Sequence, residues 1–215
     1  MKAIIFDMDG VIINSEPIHF ELERELLEEL GGKITPEEHN TFVGTTDYHM
    51  WDTFKKRFNI ELSIEEIIQM KRERFNENIH RINLVDNFWD FLMKVYKADY
   101  LLGLASSNNK ETVNLIIERF NLDKYLKVAM SGEEVKKGKP DPEIFLTTAN
   151  KLNVPPSKCI VIEDAANGVL AAKSAGMKCI GLQNPGSGNQ DLSKADLVIN
   201  NFNELDLDSL EKLLG

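Results

Sequence analysis

Cysteine is scarce in this sequence: Cys159 and Cys179 are the only two in 215 residues. Two thiols make no disulfide framework, and without a histidine or further cysteine beside them they make no zinc site. Both open short apolar runs, "CIVIE" and "CIGL", which suits small buried residues at matching points of two strands. Positive charge is also short. Lys and Arg number 25 against 35 Asp and Glu, a formal charge of -10, so nucleic acid and anionic membranes are not expected as partners. An anionic substrate would need locally placed positive charge or a metal. The opening "MKAIIFDMDG" carries one lysine and an apolar run too short for a signal-peptide core or a membrane span, which makes a cytoplasmic location the expectation. Internal repeats and low-complexity tracts are missing as well.

Apolar residues are plentiful, at 42% of the chain, enough for a packed interior. "KAIIF", "YLLGLAS", "KCIVIED" and "KCIGL" are continuous apolar runs, with a weaker one at "ADLVI" and another at "VAMS". Runs of this kind, in place of alternating ones, mark strands of a parallel sheet covered on both faces. Helical patterns fall between them at "KETVNLIIERFNL", "DPEIFLTTANKLNV", "AANGVLAAKSAGM" and "LDSLEKLL". The expected fold is therefore α/β, a doubly wound Rossmann-like parallel sheet. Between residues 14 and 81 the alternation stops, and amphipathic helices take over: one from Pro17 to the Gly31-Gly32 pair, one from Pro36 after Thr35, then "YHMWDTFKKRF", then one opened by Ser63 with Glu66 three residues on, a capping-box pattern. This predicts an α/β core of residues 1–13 and 82–215 and an inserted all-helical domain of residues 14–81. The stretch "NPGSGNQ", residues 184–190, reads as a flexible loop.

Ligands of parallel sheets gather beyond the carboxyl ends of the strands. After "KAIIF" come Asp7 and Asp9, whose spacing of two places both carboxylates on one side of an extended chain. After the second strand come Ser106, Ser107 and Asn108, leading into a helix start that favours an anion. Lys139 lies in the later loop "KKGKPDP", and Glu163 with Asp164 ends "KCIVIED". Each signal alone has an ordinary explanation: D-x-D-G as a turn, "SSN" as a helix cap, Lys139 as a loop lysine, "ED" as a helix start, and Asp141-Pro142 as N-cap and first helical residue. Their shared edge on one sheet sets them apart. Converging carboxylates would raise one another's pKa unless a hard divalent cation such as Mg2+ joined them. With a lysine and a hydroxyl added, the pocket suits a phosphate. One aspartate is then placed to act as nucleophile and a second to move the proton.

These residues resemble the haloacid dehalogenase superfamily, in the phosphatase and phosphomutase branch that carries a helical cap after the first strand. "FDMDGVI" matches its first motif, "LASSN" its serine or threonine motif, "KGKPDPEIF" its lysine motif and "VIEDAANGV" its acidic motif. The resemblance implies that Asp7 forms an aspartyl-phosphate and that Asp9 is the general acid and base. It implies that Ser106 and Lys139 bind the phosphoryl group, with Ser107 and Asn108 lining the site. Mg2+ would be held by Asp7, the Asp9 carbonyl and Asp164, with Glu163 behind through water. In the cap, His19 matches a histidine near the hinge, and "FVGTTD" matches the substrate-specificity loop, making Thr45, Thr46 and Asp47 candidates together with Lys71. Trp51 is a further residue of this region. Lys71 also has a simpler reading as part of a solvated helix face.

The resemblance implies an Mg2+-dependent phosphatase of a small phosphorylated metabolite, with a sugar phosphate as the expected substrate and a monomer as the default state. A β-phosphoglucomutase-like sugar phosphomutase is the nearest alternative, although Asp47 stands where such enzymes place a phosphate-clamping arginine. A 2-haloacid dehalogenase would need neither Asp9 nor Asp164. A phospho-aspartate signalling receiver shares the acidic pocket, hydroxyl and lysine, but has no helical insert.

Overall fold

The computed structural model describes residues 1–39, 41–42 and 46–215. In chain order the elements are β1 (Ala3–Phe6), β2 (Ile13–Asn14), α1 (Glu16–Glu29), α2 (Pro36–His39), α3 (Asp47–Phe58), α4 (Ile64–Glu77), β3 (Asn83–Leu84), α5 (Phe88–Lys97), β4 (Leu101–Ala105) and α6 (Lys110–Arg119). There follow β5 (Leu126–Met130), α7 (Glu143–Leu152), β6 (Cys159–Glu163), α8 (Ala166–Ser174), β7 (Lys178–Leu182), β8 (Leu197–Ile199) and α9 (Leu207–Leu214). They form two compact units, one of Met1–Asn14 with Asn83–Gly215 and one of Ser15–Ile82. Among the described residues no helix is long and apolar enough to cross a membrane.

The first unit is a six-stranded sheet in the order β5-β4-β1-β6-β7-β8, and every neighbouring pair is parallel. This is the α/β fold that the continuous apolar runs imply. β1 sits centrally and all four of its residues are buried. Its alternation sends Ala3 and Ile5 into a cluster with Cys159, Val161, Ile144, Phe145, Val169 and Ala172, which includes the inner faces of α7 and α8. Phe6 points the other way, with ring centroids 5.4 Å from Phe88 and 6.2 Å from Phe91 of α5. A strand covered on both faces has no solvated side on which to place polar residues, which is why it reads as an unbroken apolar run.

Two local features differ from the sequence reading. α7 begins at Glu143, one residue later than expected, and the Asp141 carboxylate accepts the Glu143 N–H at 3.0 Å. A two-residue antiparallel ribbon, Ile13 opposite Leu84 and Asn14 opposite Asn83, carries too few residues to show any periodicity.

The second unit is helical. Leu26 and Leu27 of α1, Met50, Trp51 and Phe54 of α3, and Ile64 and Ile67 of α4 form its core. Trp51 is fully buried there. The Thr46 hydroxyl accepts the His49 N–H and caps α3, and Ser63 with Glu66 forms the expected capping box on α4.

Candidate active site

Register decides which residues meet at the sheet edge. Phe6 lies opposite Leu104 on β4 and Ile162 on β6, so the next residues, Asp7, Ala105 and Glu163, leave three adjacent strands at one level. Asp7 still extends the ladder, donating its N–H to the Ile162 carbonyl at 3.0 Å, and Ser106 donates likewise to Met130 at 3.0 Å. Strand ends thus fix the backbone under both side chains.

Lys139 reaches this edge from the loop before α7. Its ammonium contacts Asp7 Oδ1 and donates to Glu163 Oε1 at 2.7 Å and to the Ala105 carbonyl at 3.0 Å. Glu163 Oε2 accepts the N–H groups of Asp164 and Ala165, both at 3.0 Å, so its carboxylate is held by its own turn as well as by Lys139. Gly168 makes this packing possible, because a Cβ there would stand 1.7 Å from Glu163 Oε1. On the other side, Asn108 Nδ2 donates to the Asp9 carboxylate, and the Ser106 hydroxyl accepts the Asn108 N–H at 3.1 Å. The structure therefore brings together Asp7, Asp9, Ser106, Asn108, Lys139, Glu163 and Asp164, while Ser107 is exposed on its turn.

Electrostatics follow from this crowding. Asp7, Glu163 and Asp164 place ligand oxygens within 4.8 Å of one another, and all three are buried. Burial, opposed by Lys139 and reinforced by Glu163 and Asp9, pushes the Asp7 carboxyl up to about 8. Burial followed by Glu163 and Asp7 also pushes Asp164 well above the carboxylate range. Burial by itself would lower the pKa of Lys139, but Asp7 and Glu163 outweigh it and raise it. Three carboxylates against one ammonium leave two formal negative charges, the complement of a divalent cation. Every donor is a hard oxygen and none is sulfur or imidazole, which fits Mg2+ better than a zinc-type ion.

The candidates from residues 14–81 have other surroundings. The His19 ring stacks on Phe75, with centroids 4.3 Å apart and planes 5° from parallel. Lys71 is not on a solvated face: it is buried, with its ammonium 2.5 Å from Glu23 Oε1 and 2.6 Å from Asp47 Oδ1. Trp51 belongs to the helical core. Thr45, with Val43 and Gly44 of the "FVGTTD" loop, lies outside the described residues.

Sequence reasoning missed two groups. Glu23 lies on the buried stripe of α1 with Leu22, Leu26 and Leu27, and its three- and four-residue spacing to Leu26 and Leu27 was the available signal. The second group is in "NPGSGNQ", which is no free loop. The Ser187 hydroxyl donates to Asp164 Oδ2, and Asn184 Nδ2 donates to the Gly10 carbonyl at 2.9 Å. Its place just after β7, at the same sheet edge as the other candidates, was the signal there.

Comparison with known proteins points the same way as the edge geometry. Residues 4–182 match the haloacid dehalogenase-like hydrolase family. The chain is 35% identical over 184 residues to a phosphorylated carbohydrates phosphatase of Thermotoga maritima, covering 84% of each protein. It is 30% identical over 222 residues to a β-phosphoglucomutase of Bacillus subtilis, covering 99% of this chain and 95% of that one. Its fold superposes on CbbY from Rhodobacter sphaeroides in complex with phosphate with a TM-score of 0.86 at 27% identity, covering 98% of this chain and 99% of the other. A match that runs through the first strand and the Asp7, Ser106, Lys139 and Asp164 segments leaves one assignment, and the chain belongs to the haloacid dehalogenase-like hydrolase family.

Proposed function

We propose that this protein is an Mg2+-dependent phosphatase of a small phosphorylated carbohydrate, working through a covalent bond between Asp7 and phosphorus. The observation that carries this reading is Lys139 bridging Asp7 and Glu163 at a strand edge that also holds Asp9, Ser106 and Asp164. Asp7 and Asp164, with the Asp9 carbonyl and with Glu163 behind them, would hold the cation. When bound, Mg2+ would screen the phosphoryl oxygens from the surrounding carboxylates.

In the first step an Asp7 oxygen attacks phosphorus, the ester P–O bond breaks, and the leaving alkoxide takes a proton from the Asp9 carboxyl group. In the second step water attacks the same phosphorus and gives a proton to Asp9. The bond to Asp7 then breaks, releasing inorganic phosphate. Lys139 and Ser106 hold phosphoryl oxygens throughout, and Asn108 orients Asp9. The roles implied for His19, Thr46, Asp47 and Lys71 in choosing the leaving group belong to the same proposal. Asp47, where phosphoglucomutases place a phosphate-clamping arginine, favours a monophosphate over the bisphosphate that a mutase needs, and within the helical unit Lys71 is already paired with Glu23 and Asp47.

A phosphate-release screen across phosphorylated sugars and polyols with Mg2+ is expected to find at least one monoester turned over well above background. Interconversion of hexose 1- and 6-phosphates faster than phosphate release would assign the protein to the mutases.

The metal assignment has a pH signature. An unfolded aspartate titrates near 3.8, whereas folded Asp7 titrates at about 8. Between these values the cation-free folded state binds a proton that the unfolded state lacks. Its stability therefore falls as pH rises through that window, and the cost is complete only above the folded value. Mg2+ displaces that proton, so the increase in Tm on adding Mg2+ is expected to be larger at pH 8 than at pH 6. Scanning calorimetry with Mg2+ and with chelator checks this, and equal increments at the two pH values would count against it.

A further inference from the structure

The loop after β7 is tied to the acidic site at three points. Ser187 is 7% exposed and donates its hydroxyl to Asp164 Oδ2. Asn184 spends both ends of its amide: Oδ1 accepts the Gly186 N–H at 2.8 Å, and Nδ2 donates to the Gly10 carbonyl at 2.9 Å. Gln190 donates to the Ser187 carbonyl at 3.1 Å and accepts the Ala166 N–H at 3.1 Å, at the start of α8. One short segment thereby joins the turn after Asp9 to the turn after β6. The fit is close. Gly10 has φ +72°, and a Cβ on it would stand 1.8 Å from Asp164 Oδ2 and 2.8 Å from Ser187 Oγ.

We propose that Ser187 and Asn184 are positioning residues for the cation site, Ser187 by fixing the orientation of the Asp164 carboxylate and Asn184 by fixing the Gly10 turn that carries Asp9. This rests on the reading of the acidic cluster as an Mg2+ site. A carboxylate among other carboxylates is pushed outward by their repulsion, and a hydroxyl donating to one of its oxygens opposes that rotation. Partners of this kind commonly change metal affinity by about 10- to 100-fold. They do so without touching substrate, so the effect belongs to cation binding and not to the chemical step.

The experiment is calorimetric titration of Mg2+ into wild type, Ser187→Ala and Asn184→Ala, with Tm in chelator measured in parallel. Ser187→Ala is expected to raise the Mg2+ Kd about tenfold or more with little change of Tm in chelator, and to recover most of its kcat at saturating Mg2+. Ser187→Thr, which keeps the hydroxyl, should bind Mg2+ more tightly than Ser187→Ala. If Ser187→Ala fails to fold, Asn184→Ala carries the test with the same expected direction. Wild type that binds Mg2+ while both alanine variants match its Kd would overturn this inference alone. Wild type that binds no Mg2+ would overturn the inference and the metal-dependent reading together.

Discussion

Asp7→Asn is expected to lower phosphate release by about 10⁴-fold or more while leaving the protein as stable as wild type, or more stable, in chelator at pH 8. The substitution keeps the shape of the side chain and an oxygen able to accept from Lys139, but removes the attacking carboxylate. It also removes one of the three acids gathered around a single ammonium. Burial pushes Asp7 up to about 8, so the cation-free site prefers it neutral, and a permanently neutral asparagine avoids the cost of ionising it. The gain is accordingly expected to grow as pH rises from about 4 to about 8, and to vanish towards pH 4, where the carboxyl is protonated in the unfolded state as well as the folded one. A residue whose purpose was structural would show the opposite pairing: activity retained in the molecules that fold, and a lower Tm. Phosphate release above about 1% of wild type would rule out Asp7 as the nucleophile. Rate and unfolding measured on the same preparation make the two patterns separable.

How much of this was legible beforehand depends on the range over which each signal acts. β1, β4, β6 and β7 were readable because covering both faces of a parallel strand imposes a continuous apolar run on consecutive residues. The cluster was readable because a parallel sheet brings its strand ends to one edge, so Asp7, Ser106 and Asp164 could be placed together without any side-chain coordinates. Lys139 needed the resemblance as well, since a lysine before a proline has no periodic signature of its own. Failures came where a polar residue is buried by partners distant in sequence. Lys71 looks solvated by residue type, and only the meeting of α1 and α3 with α4 supplies Glu23 and Asp47 around it. Ser187 sits in a stretch whose glycines and asparagines signal irregular backbone, which is correct. What composition does not convey is that irregular backbone at a strand edge can be tied to its neighbours by side-chain hydrogen bonds.

Glu23→Ala is expected to destabilise the helical unit by about 3–5 kcal/mol. Glu23 is 6% exposed and receives two donors, Lys71 on Oε1 and His39 Nε2 on Oε2, each at 2.5 Å. Burial by itself would raise its pKa. Lys71 and then His39 outweigh that, lowering it from 4.5 to about 2. A depressed carboxylate stabilises the fold fully above its unfolded value and loses that contribution as pH falls through the folded one. Here the window runs from about 4.5 down to about 2, and the shift corresponds to roughly 3 kcal/mol. Alanine removes this contribution, leaves a gap on α1, and strands the buried Lys71 ammonium with Asp47 alone, whose side chain is 43% exposed. Glu23→Gln keeps the volume and should lose less, about 2–3 kcal/mol. Trp51 offers a local readout, since it is buried in the helical core and the chain has one other tryptophan, Trp89. In a Trp89→Phe background, urea unfolding followed by Trp51 fluorescence should show the destabilisation at pH 7. The gap between wild type and Glu23→Gln should narrow as pH drops below about 4.5. A gap that stayed constant to pH 3, or an alanine variant as stable as wild type, would mean that Lys71 finds its counter-charge elsewhere.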